Sequence, residues 1–192
     1  MRKVALLFFL SSSIFGCEKE SAHDKRYIDM DSLINQQIKH LAKSNVSAKK
    51  EASIGGKISS TTSVLDSTTW SHELDVFRQL DLINRPIYKD AYQIRSNEKD
   101  SKSNLLIKSF EASATSAVPY LRMYYQDSPK RLRKLEALYQ EINSLYASQR
   151  KLEMYFDDAT GTPLLTSFSI EGNQKMILSD SVHYTIHTTV IQ

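Results

Sequence analysis

Apolar positions recur at three- and four-residue spacing in two stretches of this chain and alternate with polar ones through much of the rest. Leu33, Ile34, Ile38 and Leu41 fall on one helical face and predict a helix over about 30–43. Asp29 or Asp31 can cap it, because a side-chain oxygen there satisfies amide donors that the first turn leaves unpaired. Trp70, Leu74, Phe77 and Leu80 form a second stripe, with Ser67, Thr68 or Thr69 as its cap. The Arg85-Pro86 step ends it, since proline pushes the preceding residue out of the α region.

Between the helices, Gly55-Gly56 separates two short runs, 49–54 and 57–64. Paired glycines supply the positive φ of a primed turn, so the segment reads as a hairpin, with a Ser/Thr-rich linker as the alternative. Few apolar residues are available to cover this ribbon, which places it at a sheet edge. After Pro86 the chain is rich in tyrosine and punctuated by turns. Strands are expected at 92–95, 105–110 and 120–125, then at 166–170, 174–178 and 183–190, with turns at Gly172-Asn173 and Asp180-Ser181. Residues 184–190 alternate with a period of two.

Residues 131–156 satisfy two patterns at once. Leu132, Leu135, Leu138, Ile142 and Leu145 sit at helical spacing, and Ser128-Pro129 suits a helix start. Against that, Leu152, Met154 and Phe156 alternate, Asn143-Ser144 can separate two strands, and the flanking strands need neighbours. Asn143-Ser144-Leu145-Tyr146 and Gly172-Asn173-Gln174-Lys175 resemble, faintly, segments of uncharacterised Bacteroidota lipoproteins whose C-terminal half reads as a β-meander. That resemblance implies strands over 131–156.

The first seventeen residues carry an address. Arg2 and Lys3 precede the apolar run Val4–Leu10, three serines follow, and Glu18-Lys19-Glu20 begins a charged segment. A membrane-crossing helix needs about 20 mainly apolar residues, so the layout is that of a signal peptide. Ile14, Gly16 and Cys17 resemble the lipobox of bacterial lipoproteins, with Phe15 where a smaller residue is usual. The resemblance implies cleavage between Gly16 and Cys17 and acylation of Cys17. One acyl chain anchors only marginally, at about 0.8 kcal/mol per buried methylene, whereas two or three on one cysteine anchor permanently. Glu18 stands where aspartate tends to signal inner-membrane retention, and Cys17-Glu18-Lys19-Glu20 is similar to the export signal of Bacteroidota surface lipoproteins. The expected location is the outer membrane, on either face. The expected organisation is a signal peptide over 1–16, a lipidated cysteine and tether over 17–26, and one globular domain over 27–192.

Composition narrows the chemistry. The formal charge of +3 falls to +1 when Arg2 and Lys3 are removed, without the basic stripe that nucleic acid demands. Cys17 is the single cysteine, so stability rests on packing rather than disulfides. His183 and His187 would stand roughly 13 Å apart on a strand, too far to share a metal. His72-Glu73 lacks the second histidine of a zinc-protease helix, and His23 and His40 have no convergent partners in sequence. The run from Asp157 and Asp158 to Gly161 lacks the alternating oxygen ligands of a calcium loop and reads as a turn. No serine lies in a Gly-x-Ser-x-Gly elbow. The cluster Arg131, Arg133 and Lys134 reads as a solvated face, and the ten tyrosines read mainly as sheet core, with an exposed aromatic platform as the alternative. No catalytic residue, metal site or cofactor is expected.

The expected fold class is α+β: two amphipathic helices packed on a largely antiparallel β-sheet or meander in the C-terminal half. The expected function is a non-catalytic envelope lipoprotein that binds or supports another envelope protein or a glycan. The alternative is a carrier or chaperone that holds an acyl or other apolar ligand between sheet and helices.

Overall fold

Helix α1 runs Met30–Ser44 and buries Met30, Ile34, Ile38 and Leu41; of the stripe read from sequence, Leu33 is only half-buried and Met30 takes its place. The Asp29 carboxylate accepts from the Ser32 amide at 3.0 Å, and Asn45, in the left-handed region at φ 49°, ends the helix. Helix α2 runs Ser67–Arg78 and buries Trp70, Leu74 and Phe77. Its cap is Asp66, not Ser67, Thr68 or Thr69: the Asp66 side chain accepts from both the amide and the hydroxyl of Thr69. A carboxylate at the positive end of a helix is favoured over a hydroxyl on electrostatic grounds. The chain then tightens into 3-10 turns over Gln79–Asn84 and Pro86–Tyr88, which bury Leu80 and Ile83.

The structure, a computed structural model, describes residues 25–157, 161–176 and 180–191. Apart from the helices, it is one antiparallel sheet of nine strands. These are β1 (Ser47–Ile54), β2 (Lys57–Val64), β3 (Tyr92–Lys99), β4 (Leu106–Ala112) and β5 (Tyr120–Tyr125), followed by β6 (Leu132–Ile142), β7 (Tyr146–Asp157), β8 (Leu164–Met176) and β9 (Val182–Ile191). Strands β3 to β9 form a meander in chain order, and the β1–β2 hairpin joins it by pairing β1 with β9. The edges are therefore β2 and β3. Among the described residues, no helix is long and apolar enough to cross a membrane.

Register sorts the side chains into two faces. One row crosses the sheet through Phe110, Leu121, Ala137, Leu152, Ile170, Ile186 and Ala52. The adjacent row, one residue along each strand and so on the opposite face, is Ser109, Arg122, Glu136, Glu153, Ser169, His187 and Glu51. The apolar face and the buried sides of α1 and α2 belong to one hydrophobic cluster. Phe77 meets Phe168 edge to face with centroids 5.7 Å apart. Gln37, almost fully buried, donates to the Pro163 carbonyl and accepts from the Leu165 amide, so both ends of its amide are satisfied.

Two expectations about the second half meet different outcomes. Residues 131–156 are strands, β6 and β7, turning at Asn143, whose side chain accepts from the amides of Leu145 and Tyr146. The helical spacing of the leucines arises because Leu132 and Leu135 are placed by the irregularity between Tyr124 and Tyr125, after which Leu138 turns to the opposite face. Gly172-Asn173, by contrast, is no turn: β8 runs straight through it. Gly172 pairs with Tyr184, and the Tyr184 ring lies so close that a Cβ at 172 would meet it at 2.1 Å. The glycine makes room for a ring rather than for a bend.

Candidate functional site

The polar face of β4 to β8 holds an ion-pair network laid out by strand register. Lys134 on β6 lies 2.8 Å from Glu136 on its own strand and 2.8 Å from Glu153 on β7. Lys151 approaches Glu153 at 3.0 Å, while Arg122 on β5 reaches Glu111 at 3.2 Å and Glu136 at 3.8 Å. Aromatic rings fill the spaces between the charges. The Lys134 ammonium sits 5.3 Å from the Tyr124 ring centroid and 5.4 Å from that of Tyr155, and Arg122 stacks over Tyr120 at 4.6 Å. Tyr155 and Ser169 donate hydroxyls to Glu153.

The carboxylates are well covered, with side-chain exposure of 11% for Glu136 and 15% for Glu153. Burial alone would raise the Glu153 carboxyl, but hydrogen bonds from Lys134 and Lys151 outweigh it and hold the group at about 2. Burial would lower the Lys134 ammonium, and hydrogen bonds to Glu136 and Glu153 reverse that and raise it. Burial also pushes the phenols of Tyr120, Tyr124 and Tyr155 upward. Each charge is matched by an opposite one, so the network is a fixed, charge-compensated surface.

A groove of about 370 Å³ adjoins it, lined by Tyr120, Leu138, Gln149, Lys151, Glu171 and His183 among others. A neighbouring hollow of about 250 Å³ shares Gln149 and Asn173 with it and adds Gln140, Ile142 and Lys175. Together they present amides, an ammonium, a carboxylate and an imidazole beside one tyrosine ring, a set suited to hydroxylated or charged ligands.

The residues singled out in the sequence divide among several places. Gly16, Cys17 and His23 lie outside the described residues, as do Asp158 and the two positions after it. His183 and His187 stand on β9, exposed, opposite Asn173 and Ser169 respectively. Glu73 is engaged by Lys50 at 2.7 Å, and Asp157 by Arg133 at 3.3 Å. The reading of Arg131, Arg133 and Lys134 as a solvated face needs correction at Lys134, which lies between two tyrosines and two glutamates. The tyrosines split between the faces: Tyr92, Tyr125 and Tyr139 are buried, whereas Tyr120, Tyr124 and Tyr155 belong to the polar face. Arg122, Glu136, Lys151 and Glu153 went unnoticed in the sequence. Their signal was alternation: Tyr120, Arg122 and Tyr124, then Lys134 and Glu136, then Lys151, Glu153 and Tyr155 put a charge or a tyrosine at successive second positions of three consecutive strands.

One acidic cluster lies elsewhere. Asp29, Asp31 and Asp81 bring carboxylate oxygens within 4.8 Å of one another. The Lys25 ammonium stands among them, bonded to Asp81 and to Asp31 at 3.0 Å, with Asp29 at 3.8 Å. That cluster fastens the start of the described chain to α1 and the turn after α2. No family model, curated protein or solved structure matches the chain.

Proposed function

We propose that the chain is a lipid-anchored, non-catalytic envelope protein whose polar sheet face binds an envelope protein or glycan. In this reading α1 and α2 form a layer over the apolar face and leave the opposite face open to a partner. The observation that carries the reading is the Tyr120–Arg122–Glu136–Lys134–Glu153 network with the groove beside it. Its rings and charges are held in fixed geometry before any ligand arrives, which lowers the entropic cost of binding. Engagement of the carboxylates by lysine and arginine suits recognition better than acid–base chemistry.

The carrier reading draws support from a groove of about 340 Å³ between α1 and the sheet end, lined by Ile28, Leu33, Met123, Pro129 and Leu132. Against it, Trp70, Leu74, Phe77, Leu121, Leu135, Leu152 and Phe168 fill the space behind that groove and are fully buried. An acyl chain would have to displace them. The binding reading is therefore preferred.

The test has two arms. Metabolic labelling with an alkynyl palmitate should mark the wild-type chain, and Cys17→Ala should lose both label and membrane fractionation. A photo-crosslinking residue at position 120 of the full-length chain in its own envelope should capture a discrete protein or glycan. The same probe at position 75, on the exposed side of α2, should not. Equal capture at both positions, or none at position 120, removes the polar face as the binding surface. Stoichiometric acyl ligand in native mass spectrometry would instead favour the carrier.

A further inference from the structure

The two edges of the open sheet are treated differently. Edge strand β3 carries a register break between Arg95 and Glu98, a left-handed Asn97 at φ 63°, and exposed charges at Arg95, Glu98 and Lys99. Bulges and charges of this kind block edge-to-edge pairing. Edge strand β2 has neither a register break nor a left-handed residue. Lys57–Val64 pairs with β1 in unbroken register, every one of its residues is exposed, and its single charge stands at its first position. Its centre is the run Ser59-Ser60-Thr61-Thr62-Ser63.

Backbone direction along β2 follows from the turn. Gly55 and Gly56, at φ 55° and 81°, close the hairpin at the pair Ile54 and Lys57. The Gly55 amide donates to the His183 carbonyl, so odd-numbered groups of β1 face β9 and even-numbered groups face β2. The partners of the even-numbered set are Lys57, Ser59, Thr61 and Ser63. Ile58, Ser60, Thr62 and Val64 therefore direct their amides and carbonyls away from the sheet.

We propose that β2 is a self-pairing edge: a second copy of this chain docks antiparallel about a two-fold axis through Thr61, continuing one nine-stranded sheet into the next. An isologous contact sets each residue against its mirror position across the axis. Centred on Thr61, Ile58 lies opposite Val64 and Ser60 opposite Thr62, so every outward-directed residue of the strand is engaged. Centred on Ser60, Val64 would face Gly56, which belongs to the turn. Centred on Thr62, Ile58 would face Asp66, the cap of α2. The Thr61 register also joins side chains that lack neighbours in one copy: Ile58 is 82% exposed and Val64 55%, and each would lie beside the other. Ser59 meets Ser63, Thr61 meets Thr61, and Lys57 falls opposite Leu65, so no like charges oppose. Hydroxyl and apolar pairs of this kind favour cross-strand association.

Thr61 would form a non-hydrogen-bonded pair across the axis, with Cα atoms about 4.5 Å apart, inside the range a disulfide spans. The full-length chain carrying Cys17→Ser has no thiol, which makes it the background for cysteine scanning. Mild oxidation of purified protein in detergent should convert Thr61→Cys to a disulfide-linked dimer at least tenfold faster than Ser60→Cys. Adding Thr62→Pro removes an outward donor without touching the β1 ladder. It should abolish the Thr61→Cys crosslink and leave the urea midpoint unchanged. Equal rates for Thr61→Cys and Ser60→Cys overturn the proposal, and so does a crosslink that survives Thr62→Pro. Crosslinking of Thr61→Cys to a different protein in producing cells also overturns it, by showing a foreign strand on that edge.

Discussion

At Lys134 a single ammonium joins two carboxylates and two rings, and its removal exposes how the polar face is held. Lys134→Met leaves Glu136 and Glu153 short of a partner and should cost about 2 kcal/mol in urea denaturation. Titration gives a second readout. Glu153 is held at about 2, below its unfolded value of about 4.3, so its contribution is complete above that value. It is lost as pH falls from about 4.5 toward 2. Glu153→Gln should flatten stability against pH in that window, and an unchanged acid slope would refute the assignment. Lys134 is raised, so its contribution is complete below about 10.4 and lost only as pH climbs beyond it. Gly172 offers a steric counterpart. Gly172→Ala should drive the half-exposed Tyr184 ring away and cost about 1 kcal/mol, and adding Tyr184→Ala should cost little more.

At the scale of elements, local chemistry decides more than long-range packing does. The Asp66 carboxylate serves both the amide and the hydroxyl of Thr69, so Asp66→Ala should lower the midpoint of chemical denaturation. Ser67→Ala, at the position that first suggests itself as a cap, should be near neutral. Phe77→Ala should cost about 3–5 kcal/mol, because Phe77 is fully buried against Phe168. Both helices and the Gly55-Gly56 hairpin were legible in the sequence because each is specified within a few residues. Residues 131–156 were legible as strands only through the resemblance and the need of flanking strands for neighbours, since leucine spacing there satisfied two periods. The supposed turn at Gly172-Asn173 failed for a related reason. A glycine in a strand marks either a bend or a close approach, and only the strand next to it says which.

The whole molecule is closed by a pairing that spans nearly its full length. β1 and β9 lie far apart in sequence, yet their alignment attaches the hairpin to the meander, and Lys50 on β1 pairs with Glu73 on α2. Such non-local pairing carries a loop-closure cost that slows folding. Deletion of 182–191 should leave the hairpin without a neighbour and expose Phe168 and Ile170 at a new edge. The expected result is loss of the cooperative unfolding transition by circular dichroism; a retained sharp transition would show that the meander stands alone.

What the sequence determined by itself was local. The helical stripes, the primed turn and the alternation of the last strand all lie within windows where periodicity and turn chemistry act directly. Tertiary structure alone decided strand order, the β1–β9 junction, and the gathering of Arg122, Lys134, Glu136, Lys151 and Glu153 into one network. Those charges come from three strands, and each looks like an ordinary solvent-facing residue along its own strand. Register brings them side by side, and register is fixed by burial on the other face of the sheet.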